Sequence, residues 1–286
     1  MGFFSHMISR DDLKPGDHIY SWRNAYIYSH HGIYIGDGKV IHFTRGGGLE
    51  IGTGTVLDKF IDISIQNHGR RRKDNKCLLD CGDQSDLGGV ISSCLDCFLA
   101  GGNLHLFEYS ASPSVFLAKR GGTCTIASSD PCDEVISRAE FLLLKNGFGE
   151  YDLLDNNCED FAIYCKTGLF VLSMATKFGS SGQANSVSAA GGVVSLTLKV
   201  LGVKKKISAG HEDDSMVSVV NKVISSTVKY VVPGVGGMAL AEYGHYCFGR
   251  LFYDIGVRKD ACKVSVEDLV AFVGAKQGIQ NKCLSS

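Results

Sequence analysis

Apolar positions along the chain follow three rhythms in turn. Between residues 13 and 66 they come at strand density: "DHIYSW" and "YIYSHHGIYIGDGKVIHF" are rich in Tyr, Ile and Val, side chains that suit a pleated, half-buried surface. Gly36, Asp37 and Gly38 separate two of these runs. They predict a hairpin turn, because Gly and Asp tolerate positive φ. From 67 to 132 the pattern is broken by cysteine and glycine, around one strand-like run, "LHLFEYS". From 133 the period becomes helical. Val135, Ala139, Leu142 and Leu143 share a face, and Gly147 suits the stop. A turn follows, then a second helix in "NNCEDFAIYCKTG".

Beyond residue 170 the pattern loosens. Residues 179–192 are rich in Gly, Ser and Ala, like a linker or a loosely packed helix. In "SMVSVVNKVISSTVKYVV" Val219, Val220, Val223 and Ile224 form an apolar face, until Pro233 and a cluster of glycines break it. "SVEDLVAFVG" predicts a short helix capped by Ser265, with Asp268 three residues on. No internal repeat is present. The expected fold class is α+β: an antiparallel sheet packed against helices, with a cysteine-rich insertion over about residues 67–132. The expected division is one domain over 10–170 and a helical, Gly/Ala/Val-rich region over 171–286.

Composition narrows the function classes. Hydrophobic residues make up 44% and charged residues 21%, enough apolar material for a core and too much for global disorder. The net charge of −1, from 29 basic and 30 acidic side chains, gives no support to nucleic-acid binding, which needs a basic surface. The short runs Arg70–Lys73 and Lys204–Lys206 read as solvated loops. No secretory signal is recognised, and Ala184–Val203, diluted by Asn185, Lys199, Ser and Gly, falls short of a membrane span. The expectation is a cytoplasmic protein that is not secreted. Its 11 cysteines then read as thiols or metal ligands rather than a disulfide framework.

Cys158 has a nucleophile's placement. Asn157 reads as N-cap, and Asp160 at N3 completes a capping box with Asp in place of Glu. Cys158 falls at N1, beside the positive end of the helix dipole, where a thiolate is favoured. Phe161, Ala162 and Cys165 continue the same face, so Cys158 lies at the rim of a packed contact and Cys165 within it. Gly168 suits the helix end.

A nucleophilic cysteine needs a base. Strand alternation puts His30, Gly32 and Tyr34 on one face and His31, Ile33 and Ile35 on the other. Gly32 leaves room beside His30 for another element, such as the start of a helix. Across the hairpin, His42 comes within reach of His30 and can hold its tautomer, as the third member of a triad does. The candidate catalytic residues are therefore Cys158, His30 and His42. The plain alternative is a hydrogen-bonded core histidine and a packed cysteine.

Three segments, "LKPGDHIY", "SHHGIYIGDGKVIH" and "NNCEDF", together and in this order resemble the LRAT/H-Ras-like-suppressor group, a permuted relative of the NlpC/P60 cysteine hydrolases. The likeness spans residues 13–168 and is strongest to the plant NC-domain, lead-sensitive type. Matched position by position, it implies a base at His30, a supporting His42 and a nucleophile at Cys158. Asp160 stands where the family pattern has His, at what reads as a surface position. The resemblance implies acyl transfer through a thioester. The thiolate attacks an ester carbonyl, often of a phospholipid, and the acyl group passes to water, an amine or retinol. Backbone N–H groups at the helix start would hold the oxyanion. The implied partner is an acyl lipid or other acyl donor, with no cofactor for catalysis.

A second constellation is Cys77, Cys81, Cys94 and Cys97, spaced C-x3-C-x12-C-x2-C. Two close pairs a dozen residues apart suit a tetrahedral thiolate site for structural zinc, which would also take softer ions such as lead or cadmium. Equally open is a short helix with Cys94 and Cys97 as core residues. Cys124, Cys132, Cys247, Cys262 and Cys283 read as ordinary thiols. Three functions compete: a thiol acyltransferase or lipid hydrolase, a non-catalytic metal-handling or metal-stress protein, and an interaction module whose C-terminal third meets a membrane periphery or a partner.

Overall fold

The strand-dense stretch forms a sheet. In chain order the strands are β1 (His6–Met7), β2 (His18–Arg23), β3 (Tyr28–Gly36), β4 (Lys39–Thr44), β5 (Gly89–Cys94) and β6 (His105–Leu106). They pair antiparallel in the order β1-β6-β2-β3-β4-β5. The helices are α1 (Leu95–Leu99), α2 (Pro113–Ala118), α3 (Cys132–Lys145), α4 (Cys158–Thr167) and α5 (Val266–Ala275). A two-stranded ribbon pairs β7 (Leu169–Val171) with β8 (Ala261–Lys263). The architecture is α+β, with an antiparallel sheet and helices on both faces.

The computed structural model describes residues 6–23, 28–45, 81, 87–152, 156–171, 182 and 249–275. The chain divides into two compact units, Met1–Asn185 with Arg250–Ser286, and Ser186–Gly249. Gly249 apart, the described residues all belong to the first. Cys77, the runs 70–73 and 204–206, residues 184–203 and the apolar face at 219–224 lie outside the described residues. No helix among the described residues is long and apolar enough to cross a membrane.

The β3–β4 turn has the backbone the sequence requires. Asp37 (φ 49°) and Gly38 (φ 69°) are both left-handed, the geometry of the tight hairpin turn whose twist matches its strands. The pairing that follows sets Gly32 against His42 and Ile33 against Ile41. Alternation then gives the sheet two buried faces. On one, Ile33, Ile41, Phe43 and Val90 pack under Val135, Ala139 and Leu142 of α3 and Phe161, Ala162 and Cys165 of α4. On the other, Ile19 and Val40 pack against Leu95, Phe98 and Leu99 of α1. Burial of each large side chain contributes about 1.5–3 kcal/mol.

The cysteine-rich stretch therefore supplies the edge strand β5 and a covering helix. Arg23 fixes that helix by donating to the Leu99 carbonyl at 2.8 Å and to the Phe98 carbonyl. The C-terminal segment also returns to this unit. Leu269 of α5 is fully buried in the α3/α4 core, and Asp268 N–H donates to Ser265 Oγ at 3.1 Å, the expected cap. Asn146 (φ 46°), one residue before the expected glycine, ends α3. Gly147 is needed for another reason: a Cβ there would lie 2.5 Å from Val270 of α5.

Candidate active site and a cysteine cluster

The start of α4 is built by Asn157 and Asp160. Asn157 Oδ1 accepts from the N–H groups of Glu159 (2.8 Å) and Asp160 (3.3 Å), and Asp160 Oδ2 accepts from Asn157 N–H (3.0 Å). The capping box is complete. Asp160 is not on the surface as expected; it is buried, because its carboxylate turns back onto the helix's own first turn. Gly168 (φ 63°) closes the helix. Cys158 at N1 is 1% exposed. Its thiol donates to the Ser29 carbonyl at 3.7 Å and accepts from Tyr151 Oη at 3.9 Å. Ser29 directly precedes His30, so the sulfur meets β3 at the residue next to the candidate base.

His30 and His42 face each other across β3 and β4. His30 Nε2 lies 2.9 Å from His42 Nδ1, with the rings at 85°. His42 Nε2 in turn lies 2.9 Å from Ser93 Oγ on β5. All three are buried. The Phe98 ring packs on both imidazoles, with centroids 5.3 and 5.5 Å away. Gly32 makes room for this arrangement. A Cβ there would meet Val40 at 2.7 Å, Phe98 at 2.9 Å and His42 at 3.1 Å. The element Gly32 admits is thus α1, not the start of the cysteine helix.

A second histidine chain lies on the opposite face, beneath α4. Ser29 Oγ lies 2.8 Å from His31 Nε2; His31 Nδ1 lies 2.8 Å from His18 Nε2; His18 Nδ1 lies 2.8 Å from Tyr109 Oη. Burial lowers the pKa of both imidazoles well below the ordinary histidine range. His31 and Lys166 add to the effect on His18, and His30 adds to that on His31. Burial likewise pushes the Tyr109 hydroxyl up.

Ser93, Tyr151, Ser29, His18 and Tyr109 were not singled out from the sequence. Ser93 had a signal, alternation within "VISSC", but it becomes readable only once β5 is paired with β4. Beside Tyr151 lies an open groove, also lined by Thr44, Arg45, Gly89, Asn146 and Glu150.

Of the cysteine quartet, Cys81, Cys94 and Cys97 come together, with all three sulfurs within 4.8 Å of one another. The fourth, Cys77, lies outside the described residues. Cys94 N–H donates to Cys81 Sγ at 3.1 Å, and Cys97 N–H donates to Cys94 Sγ at 3.4 Å. Elsewhere, burial pushes the Cys124 thiol up to about 11 and raises the Cys165 thiol further. Cys262 is disulfide-bonded, which corrects its reading as an ordinary thiol.

Two comparisons bear on this geometry. The model of the lecithin retinol acyltransferase family matches residues 11–171, a stretch that holds both histidines and Cys158. Protein LEAD-SENSITIVE 1 of Arabidopsis thaliana is 48% identical over 270 residues, covering 94% of this chain and 90% of the relative.

Proposed function

Because this chain belongs to the lecithin retinol acyltransferase family, we propose that it transfers or hydrolyses acyl groups of lipids through a thioester on Cys158. The support for the reading is the family's Cys-His-His motif together with the buried His30–His42–Ser93 hydrogen-bond chain; its rings lie on the α1 face of the sheet, and it starts one residue after the Ser29 carbonyl that the Cys158 thiol meets from the α4 face. Each neutral imidazole carries one proton. If His42 Nε2–H donates to Ser93 Oγ, its Nδ1 accepts from His30 Nε2–H. That tautomer makes Nδ1 the basic nitrogen of His30. His31 is less suited to the role, since Ser29 and His18 engage both of its ring nitrogens.

In the proposed reaction the Cys158 proton passes to His30 Nδ1 and the sulfur bonds to the carbonyl carbon of an acyl ester. The thiolate faces the N-terminal end of α4, whose dipole favours negative charge. The N–H groups of Glu159 and Asp160 are used by Asn157. Oxyanion stabilisation is assigned to the positive N-terminal end of α4 as a whole. The ester C–O bond breaks, and the leaving alcohol takes the proton from His30. Water or another acceptor then attacks the thioester, with His30 removing its proton, and the thiol is restored. The groove beside Tyr151, with Arg45 on its wall, is a route for an ester with an anionic headgroup.

The test is intact-protein mass spectrometry after incubation with short-chain phosphatidylcholine. The expected result is a gain of one acyl chain, labile to hydroxylamine, absent in Cys158→Ser and strongly reduced in His30→Ala. No adduct with any of several phospholipids and acyl thioesters would overturn the reading.

A further inference from the structure

Cys81, Cys94 and Cys97 are poorly explained as packing. Each is half-buried, and none is part of the apolar clusters, whereas Leu95, Phe98 and Leu99 of the same helix fill that role. Their sulfurs lie within 4.8 Å of one another. Sulfurs sharing a tetrahedral zinc at about 2.3 Å stand about 3.8 Å apart, so a movement of about 1 Å or less closes the set on an ion. Two of the sulfurs already accept backbone N–H groups, hydrogen bonds that offset thiolate charge around a bound ion. Cys94 and Cys97 chelate from one strand-to-helix junction, Cys94 being both the last residue of β5 and the N-cap of α1.

We infer that Cys81, Cys94 and Cys97 form a thiolate site for a zinc-class divalent ion, which clamps the β5–α1 junction. Three soft sulfur donors favour zinc or cadmium over magnesium or calcium. The site joins two elements behind the histidine pair: Ser93, bonded to His42, directly precedes Cys94, and Phe98, packed on both imidazoles, directly follows Cys97. The metal site stands on sulfur geometry alone. Only its consequence for the histidines rests on the catalytic reading of His30 and His42.

The test uses the full chain purified without chelator, with metal content measured by inductively coupled plasma mass spectrometry. About one zinc per chain is expected, falling to near zero in folded Cys94→Ser and Cys97→Ser and unchanged in Cys158→Ser. A wild-type chain with no bound metal after zinc addition and desalting would overturn the inference, as would folded serine variants that keep the ion. Should the serine variants fail to fold, cobalt(II) added to the metal-free wild type decides. Intense thiolate-to-cobalt charge transfer with tetrahedral d–d bands supports the site, and a weak octahedral spectrum overturns it. Metal without thioester would uphold this site and sink the acyl reading; thioester without metal would do the reverse.

Discussion

His30 Nε2 and His42 Nδ1 meet at 2.9 Å across β3 and β4, with ring planes at 85°. The near-perpendicular contact is imposed from three sides. Ser93 holds the far nitrogen of His42. Phe98 closes over both rings. Gly32, paired with His42 in the strand register, leaves out the one Cβ that would push the rings apart. A histidine pair held this way has little freedom to change tautomer or tilt, which is the property a proton relay needs.

Gly32→Ala tests how tightly that pair is held. The added methyl meets three side chains at or below about 3 Å, and overpacking of this kind costs about 1–3 kcal/mol. The melting temperature is expected to fall by several degrees. The rate of Cys158 acylation is expected to fall by about tenfold or more, since small misplacement of a base is costly. A variant with a lowered melting temperature and an unchanged rate would show that the pair tolerates displacement.

Asn157→Ala tests the platform of the proposed nucleophile. The substitution removes the side chain that holds Glu159 N–H and Asp160 N–H, at a cost of about 0.5–2 kcal/mol. Thiol reactivity should follow. Mass-mapped alkylation by iodoacetamide at neutral pH is expected to modify Cys158 well before Cys165 and Cys124, whose thiols burial pushes up. In Asn157→Ala that lead narrows. Wild-type Cys158 labelled no faster than Cys165 would defeat the activated-nucleophile reading.

Local grammar was legible, and long-range pairing was not. The Asp37–Gly38 turn, the Asn157/Asp160 box and the Ser265 cap each depend on neighbours within four residues. Alternation sorted His30 from His31 and the hairpin brought His42 to His30, but the pair lies under α1, on the face where the cysteine helix was expected. The missing parts came from distant chain. Ser93 reaches His42 because β5 pairs with β4 across residues 45–88, a separation over which local pattern names no partner. Residues 250–275 return through the β7–β8 ribbon and Leu269, and nothing in "ACK" or "SVEDLVAFVG" names its partner. Asp160 read as exposed because an acidic residue in a first turn usually is; its bond to Asn157 N–H reversed that.

The buried chain Ser29–His31–His18–Tyr109 predicts a pH dependence of stability. His18 is faced by His31, Tyr109 and the stacked Phe107, with Lys166 over the Tyr109 ring; His31 is faced by Ser29, His18 and the stacked Tyr20, with His30 adjacent in the chain. No carboxylate is among these partners to stabilise an added proton. Burial therefore holds both imidazoles well below the ordinary value of 6.5, and His105 is lowered in the same direction. As pH falls through the unfolded histidine pKa, the unfolded chain takes up protons that the folded one refuses. Stability is thus fully present above about pH 7 and is lost below about 6.5, by up to about 1.4 kcal/mol per pH unit for each histidine. Asp254, whose pKa burial raises, works in the opposite direction; Asp130 and Asp260 are held low and titrate at more acid pH. The measurement is the melting temperature between pH 8 and pH 5. A plateau followed by a steep fall is expected for the wild type. His18→Leu should start lower, having lost two hydrogen bonds, yet fall less steeply because it has one fewer proton acceptor in the unfolded state. Parallel curves for the two proteins would show that the acid sensitivity arises elsewhere.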